Sequence, residues 1–314
     1  MSFKKTGQFI DDKNVLKDIL SKYRIDNFSF TSAKSGIENA TYIIEATNLK
    51  FVLRVYRLNK KTLSDIKLEV SFTEMLRTNG LPVPEVIENN SGSRISEFKL
   101  EDNTWRAILM EHVDGTHAED YSKTLIHELA TYQAKFHLLG KDFTHEKPTD
   151  LGIKILKEDE FIHLLSKESL TDPIVAALIA RAEEYTYTFD PTLPRGYSHF
   201  DYDAENVLVD NEDRITGILD FDDLQFAPYV MCLAYTLWAV LITSDDPETI
   251  EEYLKVYQEI RPLSDQELAS IAPIMLFRHY VLASLELLRG DLDEENLALY
   301  LKYEDFLSKQ TYSK

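Results

Sequence analysis

The sequence predicts an α+β chain of two lobes: a small antiparallel β-sheet lobe with one main helix, then a larger, mostly helical lobe. Three observations carry this. The first third holds short β-branched or aromatic runs separated by turn residues and interrupted by one segment of helical period. Beyond Val113-Asp-Gly115 the spacing becomes that of amphipathic helices. Within the second part, the polar segment 199–223 encloses two short apolar runs, 207–209 and 215–219, joined by the turn Asp210-Asn-Glu-Asp213, the pattern of a hairpin.

In chain order, residues 28–30, 40–45 and 50–56 read as strands. A helix follows over 63–78, because Ile66, Val70, Thr73 and Leu76 recur at helical spacing and Asn79-Gly80 ends it. Leu81-Pro-Val-Pro84 then forces an extended chain. Two more strands are expected over 94–98 and 105–111. Helices are expected over 121–139, with Leu125, Leu129, Tyr132 and Phe136 on one face, over 166–187, and in several segments after 227. The expected organisation is therefore an N-terminal lobe, 1–111, and a C-terminal helical lobe, 112–314, joined near residue 112.

Composition narrows the classes. A hydrophobic fraction of 44% with 17 Tyr and 16 Phe argues for a buried core and against disorder. The single cysteine, Cys232, excludes a disulfide framework and a cysteine zinc site. With no apolar core in the starting Met-Ser-Phe-Lys-Lys-Thr-Gly, a cytoplasmic location is expected. The uncharged run 229–243 is fifteen residues, short of the ~20 a membrane span needs, so a buried helix is expected and no membrane partner. Residues 1–110 carry 17 basic and 14 acidic side chains, whereas the rest carries 17 and 40, a net of −23. Such a surface repels nucleic acid and attracts cations or amines, although acidic surfaces also simply confer solubility.

The chemistry concentrates in His199-Phe-Asp201-Tyr-Asp-Ala-Glu-Asn206 and Asp220-Phe-Asp222-Asp223. Asp201 stands between apolar Phe200 and Tyr202, where a carboxylate can act as a base. Asn206 and Asp220 offer the oxygen ligands that a hard cation such as Mg²⁺ requires, and a hairpin brings both to one end of the strand pair. The layout H-x-D-x-x-x-x-N followed by D-F-x is that of a catalytic loop and a metal-binding loop for phosphoryl transfer. A polar hairpin with turn-capping Asp and Asn explains 210–213, but not the flanking pattern. His127-Glu128-Leu-Ala-Thr131 begins like a zinc-protease motif, but Thr131 replaces the second histidine.

These loops, together with Ser35-Gly-Ile-Glu-Asn-Ala-Thr-Tyr42, Phe51-Val-Leu-Arg-Val-Tyr56, Glu69 ahead of Gly80-Leu-Pro-Val-Pro84, and Ala134-Lys-Phe-His137, resemble the superfamily of aminoglycoside phosphotransferases, choline kinases and type II homoserine kinases. The resemblance covers nearly the whole chain and implies a bilobal protein-kinase-like fold, an ATP- and Mg²⁺-dependent reaction, and a small-molecule hydroxyl substrate. The acidic C-terminal lobe tilts the substrate towards a cationic, amine-bearing alcohol, with Asp245, Asp246, Glu248, Glu251 and Glu252 as places to seek the amine site. Competing readings are a stress-type protein kinase of the same superfamily and a nucleotide-binding regulatory module without turnover.

The resemblance also implies roles. Asp201 accepts or orients the proton of the attacking hydroxyl, with positioning contributing more than basicity. Asn206 and Asp220 hold the metal. Asp222 replaces the usual glycine and either contacts the metal or its ligands or is a solvated carboxylate. His199 is expected to hydrogen-bond the loop backbone, and Asp203 and Glu205 either face a cationic substrate or lie in solvent. Arg54 stands where the family usually has a phosphate-binding lysine; it shares a strand face with Val52 and Tyr56. Its guanidinium fork can pair with both phosphate and a helix carboxylate. Glu69 is its expected partner and Glu74 the competitor. Gly36 opens a phosphate-facing turn with Asn39 and Thr41 as donors, and the backbone of Met110-Glu111-His112-Val113 meets adenine. Cys232 falls where the family carries an aspartate that anchors the catalytic loop.

Overall fold

The computed structural model describes residues 13–32, 39–100, 102–118, 120–145, 180–181, 190–289 and 293–312. Its contacts divide the chain into two compact units, one of 1–115 with 216–219 and the other of 116–215 with 220–314. The architecture is α+β, as the sequence predicts. The expected helix over 166–187 lies outside the described residues apart from Ala180 and Arg181.

The first unit is a five-stranded antiparallel sheet with strand order β1-β2-β3-β5-β4. Its strands are β1 (Ser29–Ser32), β2 (Ala40–Ala46), β3 (Leu49–Tyr56), β4 (Ser96–Leu100) and β5 (Asn103–Glu111). Side chains alternate across a pleated strand, so each strand feeds two faces. Leu53 and Val55 of β3 with Ala107 and Leu109 of β5 turn to one face and pack on Leu16, Ile19 and Leu20 of α1 (Lys13–Ser21). Tyr56 and Ile108 turn to the other and pack on Ile66 and Val70 of α2 (Leu63–Thr78). Arg54, between Leu53 and Val55, therefore belongs to the α2 face.

The start of α2 is fixed locally. Thr62 Oγ1 accepts from the Asp65 amide at 3.2 Å, and Asp65 Oδ2 accepts from the Thr62 amide at 2.8 Å, a reciprocal cap. Beyond its end, Gly80 takes φ +81°, a conformation that side-chain-bearing residues resist. The chain then runs extended through Leu81-Pro-Val-Pro84.

The second unit is built on α3 (Lys123–Gly140), α4 (Tyr229–Ser244), α5 (Glu248–Ile260), α6 (Asp265–Arg289) and α7 (Glu294–Lys309). Helix α3 packs on α5, α4 on α6, and α6 on α7. The uncharged run forms α4, the buried helix the sequence predicts, and no described helix is long and apolar enough to cross a membrane. Two short strands unanticipated by periodicity, β6 (Arg195–His199) and β9 (Leu224–Pro228), pair antiparallel with His199 opposite Leu224. Between them lies the hairpin of β7 (Val207–Val209) and β8 (Ile215–Ile218). Its turn closes with the Asp210 amide donating to Arg214 O at 2.9 Å. The β6–β9 pairing thus sets the start of the 199–206 loop beside the end of the 220–223 loop.

Candidate active site

Strand β6 delivers the chain to the catalytic loop, and His199 is fully buried at its end. The Asp201 amide donates to His199 Nδ1 at 3.2 Å, so His199 holds loop backbone, as expected. Its ring packs on Phe221 with centroids 4.6 Å apart, which ties the 199–206 loop to the 220–223 loop. Asp203 caps a short 3-10 turn, Ala204–Asn206, by accepting from the Glu205 amide at 2.9 Å. The Ala204 amide donates to the Tyr121 hydroxyl at 3.2 Å.

That turn aims Asn206 back at Asp201. Asn206 Nδ2 donates to the Asp201 carbonyl at 2.7 Å and to Asp201 Oδ2 at 2.9 Å. With its NH₂ committed, the amide keeps Oδ1 as its acceptor atom. One carboxylate oxygen of Asp201, Oδ2, is engaged by Asn206. Burial, and then the charges of Asp201 and Glu205, push the Asp203 carboxyl up to about 7. The charges of Asp201 and Glu205 thus bear on Asp203 within one loop.

Asp220 sits at φ +57°, ψ 68°, a left-handed conformation that Asp tolerates better than most side chains. It precedes the 3-10 turn Phe221–Asp223, in which Phe221 is buried, Asp222 half-buried and Asp223 exposed. No group of three His, Cys, Asp or Glu among the described residues could hold a metal alone. The donors Asn206 and Asp220, with Asp222 beside them, are hard oxygens and few. That fits Mg²⁺, which takes one or two carboxylates and completes its shell with water and substrate phosphates.

In the first unit, Glu69 is buried on α2 and gathers three donors. Tyr56 Oη lies at 2.9 Å, Lys61 Nζ at 3.2 Å and Arg54 Nη1 at 3.5 Å. The competitor Glu74 instead pairs with Arg77 and Arg94. Lys61 was not expected; it stands just before the Thr62 cap, eight residues ahead of Glu69, or about two helical turns. Asn39 does not point an amide outward only: its Oδ1 accepts from the Arg57 amide at 3.2 Å. Gly36 lies outside the described residues. Glu111 ends β5 with an exposed side chain while its amide donates to Glu85 O at 2.9 Å, and Val113 is half-buried.

Three of the acidic residues between 245 and 252 have partners within the protein. Asp245 is engaged by Lys302 and Tyr303, and Glu252 by Lys123 and His127. Asp246 caps the Glu248 amide. Asp245 and Glu252 are thus engaged in ion pairs and Asp246 in capping, whereas Asp203 lies within the field of Asp201 and Glu205.

The model of the phosphotransferase enzyme family (APH) matches residues 29–273. The chain belongs to that family. This phosphotransferase is a kinase that phosphorylates a hydroxyl, and it acts on a small molecule. It is 26% identical to the homoserine kinase of Caulobacter sp. (strain K31) over 79% of its own length and 76% of that protein. It is 25% identical to the homoserine kinase of Bartonella tribocorum over 82% and 80%. Among solved structures, the amicoumacin kinase hAmiN in complex with AMP-PNP, Ca²⁺ and Ami matches with TM-score 0.73 and 18% identity, covering 99% of this chain and 97% of that one. A microcompartment-associated aminopropanol kinase matches with TM-score 0.69 and 21% identity, over 94% and 95%. At those identities the structures speak for the protein-kinase-like fold.

Proposed function

We propose that this phosphotransferase moves the γ-phosphoryl group of Mg²⁺-bound ATP to the hydroxyl of a small amine-bearing alcohol of the homoserine or aminopropanol kind. The observation that carries the reading is the Asn206 amide, which grips Asp201 at both backbone and carboxylate. A carboxylate so held presents one oxygen in a fixed direction, and orientation is most of what a weak base contributes. Asp201 receives the acceptor's hydroxyl proton as its oxygen attacks the γ-phosphorus and the bond to the β-phosphate oxygen breaks. Mg²⁺, when bound by Asn206 and Asp220 with Asp222 in support, neutralises charge on the phosphates. In the N-terminal lobe, 1–111, Arg54 and Lys61 offer cationic contacts to phosphate and Glu69 orients both. Asn39 and Thr41 serve as further donors to phosphate, and the backbone from Glu111 to Val113 recognises the adenine edge.

The amine assignment rests on Asp203 and Glu205. Burial raises the Asp203 carboxyl and the charges of Asp201 and Glu205 raise it further; an ammonium group beside it would offset that repulsion. The names of the homoserine kinase and aminopropanol kinase relatives support the same class, since both compounds pair a hydroxyl with an amine. An acceptor panel tests it: homoserine, 1-amino-2-propanol, choline and aminoglycosides, each beside a deaminated analogue, with ADP release followed. Amines should turn over at least ~10-fold better in kcat/KM than their neutral analogues, and Asp203→Asn should erase the difference. Equal use of neutral and amino alcohols would defeat the amine assignment.

A further inference from the structure

Helix α4 is apolar along most of its length, yet Cys232 and Thr236 lie one turn apart inside it, both buried. Buried polar groups require partners, and both point at one stretch of backbone. Cys232 Sγ donates to His199 O at 2.7 Å, and Thr236 Oγ1 lies 2.8 Å from Tyr202 O. These two carbonyls bracket Phe200-Asp201. Burial pushes the Cys232 thiol up to about 12, so it stays protonated and remains a donor.

The direction of the second contact is set from further away. Gln133 of α3 is fully buried, and its Nε2 lies 2.6 Å from Thr236 Oγ1. An amide NH₂ can only donate, so Thr236 accepts there. Its single hydrogen is then directed to a carbonyl, and Tyr202 O at 2.8 Å is nearer than Cys232 O at 3.3 Å. Tyr253 of α5, also fully buried, donates to Gln133 Oε1 at 2.9 Å. The facing of the amide is set by Cys232 O, which accepts from Gln133 Nε2 at 3.4 Å and, having no hydrogen of its own, would meet oxygen with oxygen in the opposite flip.

We propose that Tyr253, Gln133 and Thr236 form a one-way hydrogen-bond relay that, with Cys232, clamps both ends of the His199–Tyr202 segment and so positions Asp201. They are positioning residues, since none touches the reacting atoms. The clamp contains no ionised group. This inference rests on the reading of Asp201 as the carboxylate that receives the acceptor's proton.

Three variants test it. Thr236→Val is nearly isosteric and deletes the donor. Thr236→Ser retains the hydroxyl. Gln133→Glu keeps shape but places an acceptor where the relay needs a donor, drawing the Thr236 hydrogen away from Tyr202 O. With homoserine and Mg·ATP, Thr236→Val and Gln133→Glu should each lower kcat by about 10- to 100-fold, the range a sub-ångström to 1 Å misplacement costs, with KM for ATP within about twofold. Thr236→Ser should recover most of the loss. The double variant should be no worse than the poorer single one, because both break one chain. Independently of activity, amide exchange across 200–204 should rise at least ~10-fold in Thr236→Val while that of β6 and β9 holds.

A kcat within twofold of wild type in Thr236→Val, or failure of serine to rescue, overturns the relay. Unchanged exchange across 200–204 overturns it whatever the activity. If Thr236→Val does not fold, Gln133→Glu carries the same kinetic and exchange readouts. Full turnover by Asp201→Asn overturns the proposed function instead, and the exchange result then still decides whether the clamp holds the loop.

Discussion

Glu69 is a buried carboxylate shared by Tyr56, Lys61 and Arg54, and this sharing makes the side chains around it unequal. Arg54 reaches it at 3.5 Å, a long contact for a charge-assisted pair. Lys61 sits closer and is the stronger internal partner. If it also meets phosphate, Lys61→Met should raise KM for ATP about 10-fold, the worth of one charge-assisted hydrogen bond of about 1.5 kcal/mol. An unchanged KM would confine Lys61 to holding Glu69. The residues of the 199–206 and 220–223 loops were legible in the sequence because their spacing is short and their chemistry specific. Lys61 was not, because its role depends on how α2 is rotated against β3. The relay through Gln133 and Thr236 was hidden for a related reason. A threonine within a fifteen-residue uncharged run resembles a tolerated core position until the carbonyl opposite is known.

At the scale of elements, the strands with β-branched and aromatic alternation and the helix over 63–78 were legible, because one face of each is apolar. Strands β6 and β9 were not. Arg195-Gly-Tyr-Ser-His199 has no alternation, since four of its five residues are buried and include Ser198 and His199. Its polar groups are satisfied inside: His137 contacts Ser198 Oγ through Nε2 and Tyr257 Oη through Nδ1, each at 2.7 Å. Two stability predictions belong here. Thr62→Ala removes the α2 cap and should cost about 1 kcal/mol in urea unfolding, with Thr62→Ser near neutral. His279 of α6 accepts from Trp238 Nε1 of α4 at 3.2 Å through Nδ1 and donates to Tyr300 O of α7 at 2.9 Å through Nε2. Burial holds it neutral and lowers it to about 4. Between pH 6.5 and 4 the unfolded chain binds the proton that the fold refuses, so stability falls as pH drops through that window. His279→Gln, which keeps one donor and one acceptor, should flatten the decline in Tm between pH 6.5 and 4.5; an unaltered decline would remove His279 as a cause.

Across the whole molecule, charge was legible as a quantity but not as a site. The net of −23 beyond residue 110 suggested that the acidic starts of the later helices hold the amine. Asp245 and Glu252 are instead occupied by Lys302 and by Lys123 with His127. What the excess charge can still do is act at range, and range is set by salt. KM for an amino-alcohol acceptor should rise as NaCl goes from 50 to 500 mM, while that for a neutral analogue stays level. A salt-independent KM for the amine would assign its recognition to short contacts alone.

The catalytic assignment comes down to one carboxylate, Asp201, held by Asn206 and flanked by two clamped carbonyls. Its decisive measurement is single-turnover transfer of labelled γ-phosphate from Mg·ATP to homoserine by wild type and Asp201→Asn, at saturating nucleotide and with AMP-PNP affinity measured on both. General-base loss predicts transfer slowed by at least ~100-fold with AMP-PNP binding unchanged. Equal transfer rates would contradict it.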